Sequence, residues 1–178
     1  MKNTYKLQLA ALFAGALLSA GSLAGSNGGG GSSSGFSALF NDAEGDGSCR
    51  VSRVTSGNST FYVPSNPSNS NARFNMLAWG NGTGGDATTY TTLLESIASH
   101  CILVAAANTA NSGTGVDVEN AVNSARSRYS NILLPNAKMC TSGHSQGGGG
   151  SFNAANRLDA ECVIAVQADT RYTITIYA

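Results

Sequence analysis

The sequence is poor in charge and in histidine. Only 11% of its 178 residues are charged, and Lys+Arg balance Asp+Glu at 10 each, for a formal net charge of zero. There is no Lys/Arg run and no basic patch, so nothing points to nucleic acid or to an anionic membrane surface. The two histidines, His100 and His144, form no cluster, and the cysteines make no Cys-x-x-Cys spacing, so no metal site is expected. What replaces charge is Ser, Thr, Asn and Gly, a polar but weakly charged surface that fits an exported protein.

The start of the chain carries the plan of a secretory signal. Lys2 and Lys6 are followed by the apolar run Leu7 to Leu18, and then by small residues including Ser22-Leu23-Ala24. The run is too short to span a bilayer, and no cysteine near the cleavage region could take a lipid. Cleavage near Ala24, no stable membrane anchor, and a secreted or periplasmic protein are the expectation. Residues 25–35 are a Gly/Ser linker, and residues 36–178 have the composition of one folded domain. Four cysteines, Cys49, Cys101, Cys140 and Cys162, allow three pairings in an oxidising compartment. Buried free thiols are the alternative, because three of the four sit on apolar runs.

The folded part opens with two short β-type runs, Val51–Val54 and Thr60–Val63, around the turn residues Ser56-Gly57-Asn58. They read as an antiparallel pair at a sheet edge, followed by a loop from Pro64 to Asn71. Then the rhythm changes. Apolar strands are expected at Phe74–Trp79, Cys101–Ala107, Ala137–Ser142 and Val163–Gln167. Amphipathic helices are expected from about Thr89 to Ser99 and around Val118, Ala121, Val122, Ala125 and Tyr129, the second with Thr114 as its N-cap. A third helix reads from Ser151 to Leu158, after the glycines end. Apolar strands alternating with helices imply a mostly parallel sheet covered on both faces. An antiparallel pair followed by that alternation is the order of an α/β-hydrolase.

The chemistry centres on Gly143-His144-Ser145-Gln146-Gly147, a Gly-x-Ser-x-Gly pentapeptide between a strand and a helix, where a sharp turn can lift Ser145 out of the sheet as a nucleophile. Gly31-Ser32-Ser33-Ser34-Gly35 fits the same pattern but has neither strand before it nor helix after it. The oxyanion hole of such a site takes the N–H of the residue after the nucleophile, Gln146, and a second N–H from the loop after the strand that precedes the first helix. That loop is Gly80 to Gly85, with Gly82 or Thr83 as the donor. It lacks the Lys of a phosphate-binding P-loop and the spacing of a dinucleotide fingerprint.

A base is harder to place. His144 directly precedes the nucleophile and is expected to pack beside the turn. His100 ends the first helix, at the wrong end of the sheet for an active site. Asp169, after the strand Val163–Gln167, is a weak candidate for the triad acid, while Asp159 and Glu161 precede that strand. The run Arg171 to Tyr177 alternates as an edge strand does. The sequons at Asn58 and Asn81 are chance matches in an Asn-rich chain, and a glycan on Asn81 would block the oxyanion loop.

Three stretches together, Gly143-His144-Ser145-Gln146-Gly147-Gly148, Trp79-Gly80-Asn81-Gly82-Thr83-Gly84 and Val104-Ala105-Ala106-Ala107-Asn108, resemble secreted bacterial α/β-hydrolases of the polyester hydrolase and cutinase-like group. Chlorophyllases and dienelactone hydrolases are more distant relatives in the same fold. The resemblance covers about Ser48 to Asp169. It implies a serine esterase acting on carboxylic esters without a cofactor, with Ser145 as nucleophile and Gly82 and Gln146 at the oxyanion hole. The acid- and histidine-bearing segments of that family would follow Ala178, so the chain reads as its N-terminal part, inactive alone. A non-catalytic exported domain that binds an ester-like or glycan ligand is the alternative.

Overall fold

The computed structural model describes residues 45–169 and Arg171. The signal and linker segments, the Ser33 decoy and most of the C-terminal alternating run lie outside the described residues. Six strands form one sheet: β1 Arg50–Ser56, β2 Ser59–Ser65, β3 Asn75–Gly80, β4 Ile102–Ala107, β5 Met139–His144 and β6 Cys162–Val166. Their order across the sheet is β1-β2-β4-β3-β5-β6. The pairings β1–β2 and β2–β4 are antiparallel, and β4–β3, β3–β5 and β5–β6 are parallel. The expected mixed α/β sheet is therefore present, mostly parallel, with an antiparallel pair at one edge.

Period-two alternation in the central strands assigns each side chain to a face. Leu77 and Trp79 of β3 join Val104 of β4 under α1 (Thr91–Ser99), which contributes Leu94 and Ile97. Met76 and Ala78 join Leu103 and Ala105 on the other face. There α2 (Val116–Arg128) brings Val118 and Val122, and α3 (Gln146–Leu158) brings Ala154 and Leu158. Each fully buried aliphatic side chain of this size contributes about 1.5–3 kcal/mol, so burial on both faces fixes the register of the sheet.

Four local expectations change. Helix α3 begins at Gln146, directly after Ser145, and not at Ser151. The glycines that look like a break in the sequence open the helix instead: a Cβ on Gly147 would collide with Gly80 at the end of β3, and one on Gly150 with the Ser112 carbonyl. Helix α2 is preceded by Gly115 in the left-handed region (φ 75°), with no side-chain cap of its own, so Thr114 does not serve as the N-cap. β2 runs through Pro64, because pairing with β4 ends at Tyr62 and beyond it β2 has only β1 beside it, an edge setting that tolerates proline. The four cysteines form two disulfides, Cys49–Cys101 and Cys140–Cys162, so the free-thiol alternative does not hold.

Among the described residues no helix is long and apolar enough to cross a membrane. No group of three or more His, Cys, Asp or Glu among them could hold a metal ion.

Candidate active site

The parallel strands β3, β5 and β6 end together, with Gly80 opposite Gly143 and His144 opposite Val166. That register places the loop 81–86, Ser145 and the segment 167–169 at one end of the sheet, the carboxyl end, where open α/β sheets bind their ligands.

Ser145 joins β5 to α3 with φ 53° and ψ −119°. A serine gains nothing from this backbone region, and holding it there costs about 1–3 kcal/mol. The surroundings impose it. The Ser145 N–H donates to Val166 O at 2.9 Å, and the Ser145 carbonyl accepts from Gly149 at 3.1 Å and from Asp169 at 2.8 Å. The turn is then closed by backbone contact on both sides. A Cβ on Gly143 would stand 2.6 Å from Gly80 O and closer still to Gly147 O, and a Cβ on Gly147 would stand 2.6 Å from Asn81 O. The first and last positions of the pentapeptide must therefore be glycine, and the middle residue is held half-buried at the head of a helix. No hydrogen bond of the Ser145 hydroxyl is made among the described residues.

Gln146 opens α3, where the first-turn N–H groups point out of the helix end rather than to an intrahelical acceptor. Across from it, the loop after β3 is anchored at Asn81, which is fully buried. Its N–H donates to Ser112 Oγ at 3.0 Å, and its side-chain amide donates to Ala107 O and Thr109 O. A glycan on Asn81 is thereby excluded. At the far side of the loop, Asp86 caps the 3-10 turn Ala87–Tyr90 through a reciprocal box with Thr89, and this turn runs into α1. Between these anchors the Gly82 N–H points at the Tyr90 hydroxyl at 3.1 Å, while the Thr83 N–H makes no hydrogen bond among the described residues and Thr83 is exposed.

Neither histidine faces the Ser145 hydroxyl with a hydrogen bond. His144 packs beside the turn, with Nδ1 3.0 Å from the Tyr90 hydroxyl and Nε2 3.3 Å from Gln167 Oε1. His100 caps the C-terminus of α1, just before β4 and so at the amino end of the sheet. Asp169 is brought against Ser145 by its backbone alone. Its carboxylate is taken by Arg171, whose Nη2 lies 2.6 Å from Oδ2, and this hydrogen-bonded guanidinium holds the carboxyl down to about 2. The structure thus assembles Ser145, Gln146, Gly82, Thr83 and the Asp169 backbone at one place, without a histidine directed at the serine.

Tyr90 and Gln167 were not legible as site residues. Tyr90 reads as one more member of the apolar face of a helix, and its eight-residue distance from Gly82 carries no motif. A cleft of about 560 Å³ between Arg73, Met76, Arg126 and Leu133 lies elsewhere. Its residues precede β3 and β5 or, like Met76, stand at the start of a strand, so it belongs to the amino end of the sheet and does not serve Ser145.

No family model and no curated protein matches this chain. The functional reading therefore rests on the site itself.

Proposed function

We propose that the protein is a secreted or periplasmic serine hydrolase of the α/β-hydrolase fold, related to the polyester hydrolase and cutinase-like group, and that it cleaves carboxylic esters through Ser145. The observation that carries this reading is the backbone of Ser145. A strained, positive-φ serine stands between a central strand and a helix, with glycines forced on both sides by backbone contact. A half-buried serine on such a strand-to-helix turn is the nucleophile arrangement of that fold, and its second oxyanion donor comes from the loop between β3 and the first helix. Here that loop is 81–86. Two disulfides support an oxidising compartment.

In the proposed reaction Ser145 Oγ attacks the ester carbonyl carbon as a base removes its proton. The carbonyl oxygen becomes an oxyanion held by the N–H of Gln146 and by that of Gly82 or Thr83. Collapse expels the alcohol and leaves an acyl-serine, which water hydrolyses to the acid. Neither His100 nor His144 is placed for the proton transfer, so this reading draws its base and its acid from outside the described residues. Fluorophosphonate labelling followed by peptide mapping tests it. The expected adduct is on Ser145, and labelling elsewhere with Ser145 unmodified overturns the assignment.

The absence of a histidine against Ser145 among the described residues also favours a second reading, a non-catalytic exported domain that binds an ester-like or glycan ligand in the same place. Ester hydrolysis that disappears in Ser145→Ala rejects it.

A further inference from the structure

We infer that Tyr90 is the positioning residue of the oxyanion loop: its hydroxyl takes the Gly82 N–H, so that the Thr83 N–H is the donor left for substrate, and His144 and Gln167 fix the direction of that hydroxyl. The inference rests on the esterase reading for its purpose, but not for its geometry.

With His144 neutral and the Gln167 amide oxygen turned toward it, the chain of hydrogen bonds runs in one direction. The Gly82 N–H is solely a donor, so the Tyr90 oxygen accepts there, at 3.1 Å. At the other end Gln167 Oε1 is solely an acceptor, so His144 Nε2 carries a hydrogen, at 3.3 Å. A neutral imidazole has one N–H, which leaves a lone pair on Nδ1. The Tyr90 O–H therefore donates to Nδ1, at 3.0 Å. Each link from Gly82 to Gln167 then pairs one donor with one acceptor, and His144 is the Nε2–H tautomer.

The rest of the loop has little else to hold it. Between Asn81 and Asp86 the only backbone hydrogen bond internal to the loop runs from Gly85 N–H to Gly82 O, at 3.0 Å, and three of the four intervening residues are glycine. Tyr90 is itself well fixed. Its ring lies between buried Trp79 (centroids 5.1 Å apart) and His144 (5.9 Å), at the start of α1. The fit to residue 82 is close: a Cβ there would stand 2.9 Å from His144 Nδ1 and 3.0 Å from the Tyr90 hydroxyl. Residue 82 is thus glycine because the Tyr90–His144 pair occupies the space of a side chain. Oxyanion stabilisation depends on donors already in place before charge develops, and a donor whose N–H is spent on a tyrosine is not the one that meets substrate.

Solution NMR on the ¹⁵N-labelled protein tests the geometry without turnover. Long-range ¹H–¹⁵N spectra should show His144 as the Nε2–H tautomer. In Tyr90→Phe the Gly82 amide should exchange with solvent about tenfold faster, the loss of roughly one hydrogen bond, with the Ser145 and Gly149 amides unchanged. An Nδ1–H tautomer, or unchanged Gly82 exchange, overturns the inference. Should Tyr90→Phe not fold, Gln167→Ala, at an exposed position, should fold and give a mixture of tautomers. An unmixed Nε2–H form in that variant contradicts the role of Gln167. In an ester-cleaving form of the protein, Tyr90→Phe should lower kcat about tenfold or more with KM nearly constant. The predicted spectra in a protein that cleaves no ester refute the esterase reading alone. Ester cleavage with kcat and Gly82 exchange both unaltered in Tyr90→Phe refutes the positioning role alone.

Discussion

Gly147 meets Gly80 backbone to backbone, where the first turn of α3 crosses the end of β3. A Cβ on Gly147 would collide with the Gly80 carbonyl and stand 2.6 Å from Asn81 O. Neither neighbour is the end of a flexible side chain, so the contact cannot be relieved by a rotamer change. Gly147→Ala is expected to lower unfolding stability by about 3 kcal/mol, at the upper end of overpacking costs, and to push the 81–86 loop from its place. Equilibrium denaturation checks this, and a variant as stable as the parent would contradict the close crossing.

Ser145 stands at φ 53° although it is not glycine. Replacing its side chain by hydrogen removes the strain at the cost of greater freedom in the unfolded chain. Ser145→Gly should therefore be more stable than Ser145→Ala, by about 1 kcal/mol, although both lack the hydroxyl. Equal midpoints in urea for the two variants would argue against a strained turn.

The carboxyl of Asp169 is held at about 2, down from 3.8, chiefly by hydrogen bonds from the Arg171 side chain. A folded value below the unfolded one means that the carboxylate favours the native state fully above about pH 4 and loses that contribution as pH falls through 2. Carboxyl ¹³C titration should place Asp169 near 2 in the parent and within the ordinary carboxylate range in Arg171→Ala. A midpoint that does not move would show that another group holds the charge.

The disulfides close loops of unequal length, 52 residues between Cys49 and Cys101 and 22 between Cys140 and Cys162. Chain entropy alone then makes them worth about 4 and about 3 kcal/mol respectively. Paired Cys→Ala substitutions should destabilise in that order in chemical denaturation. The reverse order would show that Cys140–Cys162, which ties β6 to β5, does more than restrict the unfolded chain.

The sheet was legible because its strands are apolar and its helices one-sided. Leu77 and Trp79 against Met76 and Ala78, or Leu94 with Ile97, announce their faces through spacing alone. The start of α3 was not, because local composition opposes it: Gly147 to Gly150 read as a helix break, and the close approach of Gly147 to Gly80, of Gly148 to Ala168 and of Gly150 to Ser112 becomes visible only in the fold. Likewise, the pentapeptide marked Ser145, but nothing in the residue order tied Tyr90 to Gly82, or Gln167 to His144. Those links arise from the register of β3, β5 and β6, which a linear pattern does not contain. The cysteine pairing falls in the same class. Cys140 and Cys162 are bonded because they are cross-strand partners in β5 and β6, and sequence alone left three pairings open.

The claim at the centre of this account is that Ser145 is a nucleophile, and its most direct measurement is p-nitrophenyl ester hydrolysis by the natural gene product beside its Ser145→Ala variant. Turnover in the first and none above background in the second is the expected result. Equal rates of hydrolysis in both would contradict it.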